Sequence, residues 1–277
     1  MSKPITKAVI LARGLGTRMQ KSDGAELDPE TARIAQQGLK ALIQVAGRPF
    51  LDYGLQNLLD AGFTEICLIV PPGETPFKSY YSEVGQRLAG KASICFAVQE
   101  LPRGTSDALA PAEDFAGKEG IVMVNADNIY STEDLAALRT ADDGCWVVGY
   151  TKDALTVRGN LAVEKVARMA CVQMDAAMNL ERIVEKPPRP EDYAVNGVVY
   201  VSMNLFRFSP IVFEACRKIE PHPVRGEYEI TSTVQYIIDH KLDSYRVHVA
   251  SGTVLDLSAR ADISSVRERL GSRKLTF

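Results

Sequence analysis

Leu11-Ala12-Arg13-Gly14-Leu15-Gly16-Thr17-Arg18 follows directly on the apolar run Ala8-Val9-Ile10. The pattern is a strand that runs into a glycine turn and ends on an arginine. Glycine has no Cβ, so backbone N–H groups in such a turn can point inward to an anion. Arg18 adds a planar charged fork suited to phosphate oxygens. The stretch therefore predicts a polyphosphate site at the carboxyl end of a strand. A dinucleotide fingerprint would need glycine or alanine at position 19, where Met19 stands. A second glycine segment, Gly85-Gln86-Arg87-Leu88-Ala89-Gly90-Lys91, has the spacing of a P-loop, but Ala92 follows where a hydroxyl should stand. A helical pattern precedes it and a strand-like run follows it, the reverse of a P-loop.

Composition sets the class. The 277 residues are 46% hydrophobic and 24% charged, with a net charge of −3, which describes a globular α/β chain with a full core. The slight acidity supports neither nucleic-acid nor membrane-surface binding. The five cysteines include no C-x-x-C pair and several lie in apolar runs, as expected of reduced thiols in a cytoplasmic protein. Three scattered histidines argue against a zinc site. The apolar stretch after Lys7 is broken by Arg13, too soon for an export signal or a membrane span.

Strand-like runs at 8–12, 66–70, 94–98, 121–125, 146–150, 197–201 and 245–249 alternate with helical patterns such as 50–61 and 80–89. Gly62 and Gly90 stand where helix C-caps are expected. This alternation predicts a three-layer, Rossmann-like α/β fold with a mainly parallel sheet, and ligands bind such sheets at the carboxyl ends of the strands. The polar stretch from Gln20 to Gly38 reads as an insertion into a single domain spanning 1–277. Asp28 is its expected N-cap and Pro29 its first helical residue. Its place beside a phosphate site suggests a mobile cover, and a tolerated surface insertion is the alternative.

Taken in order, these segments resemble the sugar-phosphate nucleotidyltransferases, the pyrophosphorylases that make nucleotide sugars. That family carries L-A-G-G-x-G-T-R and then K-x-L-x-P-V-x-G-K-P. The matches here are 11–18 and Lys40-Ala41-Leu42-Ile43-Gln44-Val45-Ala46-Gly47-Arg48-Pro49. Further matches are Gln99 with Gly104-Thr105-Ser106-Asp107-Ala108, Asn125-Ala126-Asp127-Asn128, Glu185-Lys186-Pro187, Asn196-Gly197, Gly226-Glu227-Tyr228-Glu229-Ile230-Thr231 and Asp256-Leu257-Ser258. The resemblance covers nearly the whole chain and implies a GT-A-like nucleotidyltransferase fold. With few residues after Asp262, the repetitive acyltransferase domain that some relatives carry is not expected in this sequence.

The implied reaction is Mg²⁺-dependent transfer of a nucleotidyl group from UTP or dTTP to a sugar 1-phosphate, with release of pyrophosphate. Two anions must meet, so the work is charge neutralisation and alignment. By resemblance, Asp127 and Asp256 hold the metal, an oxygen-liganded cation. Arg18 and Lys40 hold the triphosphate, and Lys186 the phosphate of the sugar. Leu11, Ala12, Gly14, Gly16, Thr17, Gln99, Gly104 and Thr105 line the nucleotide, and Gly159, Glu185 and Asn196 the sugar. The Gln99 amide would donate to one pyrimidine carbonyl and accept from the ring N3–H, which favours UTP or dTTP.

Each residue also has a plainer reading: a lysine as solvated charge, Asp127 as a turn residue, Asn196-Gly197 as a hairpin turn, and Ser232 with Gln235 as a capping box. Departures from the pattern are Arg13 for a small residue, placing extra charge beside the phosphates, Gln44 for proline, and Ala126 and Ser258 for glycine. The alternatives are the same reaction with GTP, CTP or ATP, and a non-catalytic regulatory protein that binds nucleotide sugars. A homo-oligomer is expected only by analogy.

Overall fold

A computed structural model describes residues 3–14, 16–20, 27–37, 39–271 and 273–277. Its strands are β1 (Lys7–Leu11), β2 (Gln44–Val45), β3 (Arg48–Pro49), β4 (Glu65–Val70), β5 (Ser93–Val98), β6 (Ile121–Asn125), β7 (Asn128–Tyr130), β8 (Cys145–Thr151), β9 (Ala170–Met174), β10 (Leu180–Val184), β11 (Tyr200–Phe208), β12 (Tyr245–Val249) and β13 (Val254–Asp256). Nine of them make the central sheet, along β10-β9-β11-β6-β1-β4-β5, with β8 on the other edge of β11 and β12 beyond it. β5, β4, β1 and β6 are mutually parallel, and β11 is antiparallel to β6, β8 and β9. With β12 parallel to β8 and β10 antiparallel to β9, only β10 and β11 run against the common direction. The sheet is mainly parallel, as expected.

Side chains alternate between the two faces of each strand. Ala8, Ile10, Ile66, Leu68 and Val70 enter one buried cluster, whereas Val9, Cys67 and Ile69 enter another. A parallel sheet buried on both faces needs such near-continuous apolar strands, and the two clusters are the two helix-covered faces of a three-layer fold. The helix Phe50–Asp60 packs in the first cluster and ends as its glycine implies: Gly62 takes φ +94°, with Phe63 N–H on the Leu58 carbonyl and Gly62 N–H on that of Leu59.

The false P-loop lies where its context placed it, after the helix Pro76–Arg87 and before β5. That helix begins four residues earlier than the expected 80–89, because Thr75 caps it through the Lys78 N–H and Pro76 supplies its first turn. The expected strand at 197–201 is also corrected. Asn196 and Gly197 both have positive φ, and Val195 and Val198 bond back to back, so a tight hairpin turn precedes β11.

Over the residues described, the insertion packs against the body of the fold. Its helix Pro29–Gln36 starts on Asp28, whose carboxylate accepts from the Thr31 N–H (2.9 Å) and hydroxyl (2.7 Å). Ile34 and Ala35 are buried in the first cluster, and Arg267 reaches Thr31 and Asp28 from the helix Asp262–Leu270. The remaining insertion positions, 21–26 and 38, lie outside the described residues. Among the described residues no helix is long and apolar enough to cross a membrane.

Candidate active site

Four neighbouring parallel strands deliver the site. Leu11 pairs with Asn125, and Ala126 N–H bonds to the Leu11 carbonyl, so the glycine turn and Asp127 leave adjacent strands side by side. Ala12 N–H bonds to Ile69 and Gln99 N–H to Val70, which aligns the exits of β1, β4 and β5. Gly16 takes φ +62° and opens the short helix Thr17–Gln20. Its last carbonyls are held by Arg260, at 2.9 Å to Met19 and 3.3 Å to Gln20. Thr17 and Arg18 are exposed on it, and Arg18 forms no ion pair among the described residues. Gly14 is exposed with open space where a Cβ would stand.

The two predicted metal carboxylates are brought together across a hundred and more residues of sequence. β13 pairs with β7, setting Asp256 opposite Asn128, and Leu257 N–H bonds to the Asp127 carbonyl. Asp127 forms an ion pair with Lys40, the lysine expected to hold the triphosphate. Asp256 is buried and receives Asn128 Nδ2 at 2.9 Å, Ser258 Oγ at 3.0 Å and Lys165 Nζ. Burial, and then the neighbouring Asp127 charge, push its carboxyl above the ordinary range. Two close carboxylates in a partly desolvated cleft need cations, and here each has a lysine.

Asn160 clasps the Asp256 backbone, accepting from its N–H (2.8 Å) and donating to its carbonyl (2.9 Å). Neither Lys165 nor Asn160 belongs to a segment that carried the resemblance, and only the fold places them here. The departure at Ser258 is thereby explained, since its hydroxyl supports the carboxylate. Both carboxylates are hard oxygen donors of the kind magnesium takes, and no group of three or more His, Cys, Asp or Glu side chains is assembled among the described residues.

Gln99 is buried at the exit of β5. Both hydrogens of its Nε2 are taken, by the Gly104 carbonyl (3.3 Å) and Asp107 Oδ2 (2.7 Å). The expected two-point reading of a base is therefore halved: Oε1 remains to accept, and the donor half is committed to the protein. Gly104, at φ +122°, lies so close to the Tyr228 backbone that a Cβ would overlap it. Thr105 is held against the same segment: its hydroxyl accepts from Ile230 N–H at 2.8 Å and so caps the helix Ile230–Asp239. The 226–231 segment, chemically obscure in the sequence, is the wall against which the 103–106 turn is built. The expected Ser232–Gln235 capping box does not form: the helix starts three residues earlier, with Glu229 as its N-cap, and Gln235 Oε1 accepts from Ile183 N–H in β10.

Arg13 also departs from expectation. Its Nε donates to the Gln99 carbonyl (2.7 Å) and Nη2 to that of Glu100 (3.2 Å), so the guanidinium is engaged with backbone rather than free for phosphates.

The sugar half is looser. β10 runs back along β9 and ends level with Cys171, returning Glu185 and Lys186 towards the exit of β6. Lys186 takes φ +46°, is half exposed, and lies 3.3 Å from Glu185. Asn196 is exposed on its hairpin turn, where positive φ alone accounts for an asparagine. Gly159 is required by protein packing: a Cβ there would overlap the carbonyls of Leu155 and Val254. Its close backbone approach in the structure is to Leu155 and to Val254 of β13.

The sequence pattern of the nucleotidyl transferase family matches residues 7–251. Over 259 residues the chain is 29% identical to Agl11, a low-salt glycan biosynthesis nucleotidyltransferase of Haloferax volcanii, covering 93% of this chain and 64% of that protein. It is 31% identical over 242 residues to a glucose-1-phosphate thymidylyltransferase of Streptomyces antibioticus, 86% of this chain and 58% of the other. The chain thus spans about three fifths of the length of these relatives. A UTP–glucose-1-phosphate uridylyltransferase of Haloferax volcanii, AglF, is 24% identical over 269 residues and is covered over 96% of its length. A solved UDP-glucose pyrophosphorylase in complex with UDP-glucose has the same fold, with a TM-score of 0.71 at 15% identity over 98% of this chain and 100% of that one. From the first strand of the sheet to the loop beyond β12, the chain belongs to the nucleotidyl transferase family.

Proposed function

We propose that this chain transfers a nucleotidyl group from UTP or dTTP to a sugar 1-phosphate and releases pyrophosphate. The observation that carries the reading is the meeting of Asp127 and Asp256, each with its own lysine, beside a glycine turn. In the reaction an oxygen of the sugar phosphate attacks the α-phosphorus and the bond to pyrophosphate breaks. Arg18 and Lys40 hold the triphosphate and steady the departing pyrophosphate. Lys186 holds the attacking phosphate, and Glu185 accepts from sugar hydroxyls. Asp127 and Asp256 would hold Mg²⁺, which supplies charge neutralisation at the phosphates. Gln99 Oε1 accepts from a pyrimidine N3–H, and its burial makes an unmatched base costly.

The relatives named for thymidylyl and uridylyl transfer agree with this choice of base. The five thiols, none in a disulfide, suit a cytoplasmic location. Incubation with Mg²⁺, a sugar 1-phosphate and each triphosphate in turn tests the proposal. Pyrophosphate and a nucleotide sugar should form in equal amounts from UTP or dTTP. Their absence across a panel of sugar 1-phosphates would leave a nucleotide-sugar binder on this fold.

A further inference from the structure

We propose that Arg13 is a positioning residue for base selection, acting through Gln99; this rests on the pyrimidine reading above. Arg13 leaves β1, and its targets leave β5, with β4 between them. Strands lie about 4.8 Å apart, so the side chain must span roughly 10 Å of sheet edge. A small residue at this position cannot make that span. Arginine does so with two donors, Nε on the Gln99 carbonyl and Nη2 on the next one.

Gln99 is then fixed at both ends. Its backbone is tied to the glycine turn, and its amide is tied to Asp107 and Gly104. Asp107 is in turn paired with Arg103 at 2.6 Å, whose guanidinium lies over the Tyr228 ring. With both Nε2 hydrogens committed, the direction of Oε1 is set by where these anchors hold the residue. Hydrogen-bond selection fails over displacements of about an ångström, so the backbone tie bears on which base fits. The same tie joins the turn proposed to bind phosphates to the residue proposed to read the base.

The alternative is that Arg13 serves as one more phosphate ligand, and the two roles differ in their signature. The affinities of UTP, dTTP, ATP and GTP should be measured by calorimetry on wild type, Arg13→Gly, Arg13→Lys, Gln99→Ala and the Arg13→Gly/Gln99→Ala double variant. A positioning role predicts that Arg13→Gly lowers the preference for pyrimidine over purine by about tenfold. Arg13→Lys should fall between, because one ammonium cannot reproduce a fork on two carbonyls. In the Gln99→Ala background the same glycine substitution should change the preference by less than about twofold.

Equal weakening of all four nucleotides would make Arg13 a phosphate ligand and overturn the proposal. So would an unchanged preference in a folded Arg13→Gly protein, and if that variant does not fold, wild-type selectivity in Arg13→Lys has the same force. A wild type without pyrimidine preference would overturn the base reading itself, and this inference with it.

Discussion

The two sides of the cleft are built in different ways. The proposed nucleotide side is made of residues that follow closely on parallel strands, so β1, β4, β5 and β6 set the places from which Gly14, Gln99 and Asp127 leave the sheet. The sugar side is carried by β9, β10 and a hairpin, and its predicted residues lie in turns: Lys186 and Asn196 have positive φ and substantial exposure. Strand ends give rigid placement, whereas turns give residues that a substrate can re-aim. If the proposed roles hold, the contrast implies that the nucleotide side is close to its working arrangement and that the sugar side acquires part of its arrangement from the ligand.

The sharpest way to break this picture is at the seam, where β13 lays Asp256 against the exit of β6. Asp127→Asn keeps the shape and removes one charge, and turnover should fall by on the order of a hundredfold or more while the melting curve hardly moves. A variant releasing pyrophosphate at near wild-type rates would remove Asp127 from the chemistry. Next in size, Lys186→Ala should raise KM for the sugar phosphate by the equivalent of about 1.5–3 kcal/mol and leave nucleotide affinity unchanged. Equal losses on both substrates would mean that the two sides are not separable.

A third test concerns the loop that delivers β13. Asp134 is fully buried and binds the Ser251 N–H at 2.9 Å, the Gly252 N–H, Ser131 and His248. Burial alone would raise its carboxyl, but the hydrogen bonds from His248, Ser131 and the two backbone groups outweigh this and hold it below the ordinary 3.8. A carboxyl depressed in the folded state stabilises the protein above its unfolded pKa, and that contribution is lost as pH falls from about 4 through the folded value. Wild type should therefore lose stability below pH 4 more steeply than Asp134→Asn, which should itself be about 1–3 kcal/mol less stable at neutral pH. Parallel acid-denaturation curves for the two proteins would refute this assignment. The smallest effect is expected at Asn196. Replacement by alanine should cost about 1 kcal/mol of stability through its positive φ and leave sugar-phosphate kinetics unchanged.

The same division governs what could be read from the chain. Strand 121–125, buried on both faces, is a continuous apolar run, whereas 245–249 alternates apolar with polar residues, and both are legible to the residue. Asp28 announced its helix because an N-cap and a following proline are local signals. β9 and β10 were missed: Leu180–Val184 exposes Glu181 and Arg182 in succession and shows no clean alternation. β11 was misplaced because Ser202 and Asn204 interrupt its apolar pattern around a shift in register.

At the site, Asp127, Lys40 and Asp256 stood in recognisable segments, whereas Lys165 meets Asp256 across 91 positions and carries no local signal. Arg13 was legible as a departure, but its targets, two backbone carbonyls on another strand, were not. The insertion shows the same limit, since its polar composition hid the apolar face of Ile34 and Ala35.

The two proposed sides meet at one pair of carboxylates, and binding of Mn²⁺, used as a spectroscopic stand-in for Mg²⁺, reads that pair directly. Electron paramagnetic resonance should be recorded on wild type, Asp127→Asn and Asp256→Asn, each saturated with UTP or dTTP. The account predicts protein-bound Mn²⁺ in the wild-type complex and a loss of at least about tenfold in its affinity in each variant. Undiminished Mn²⁺ affinity in both folded variants would contradict it.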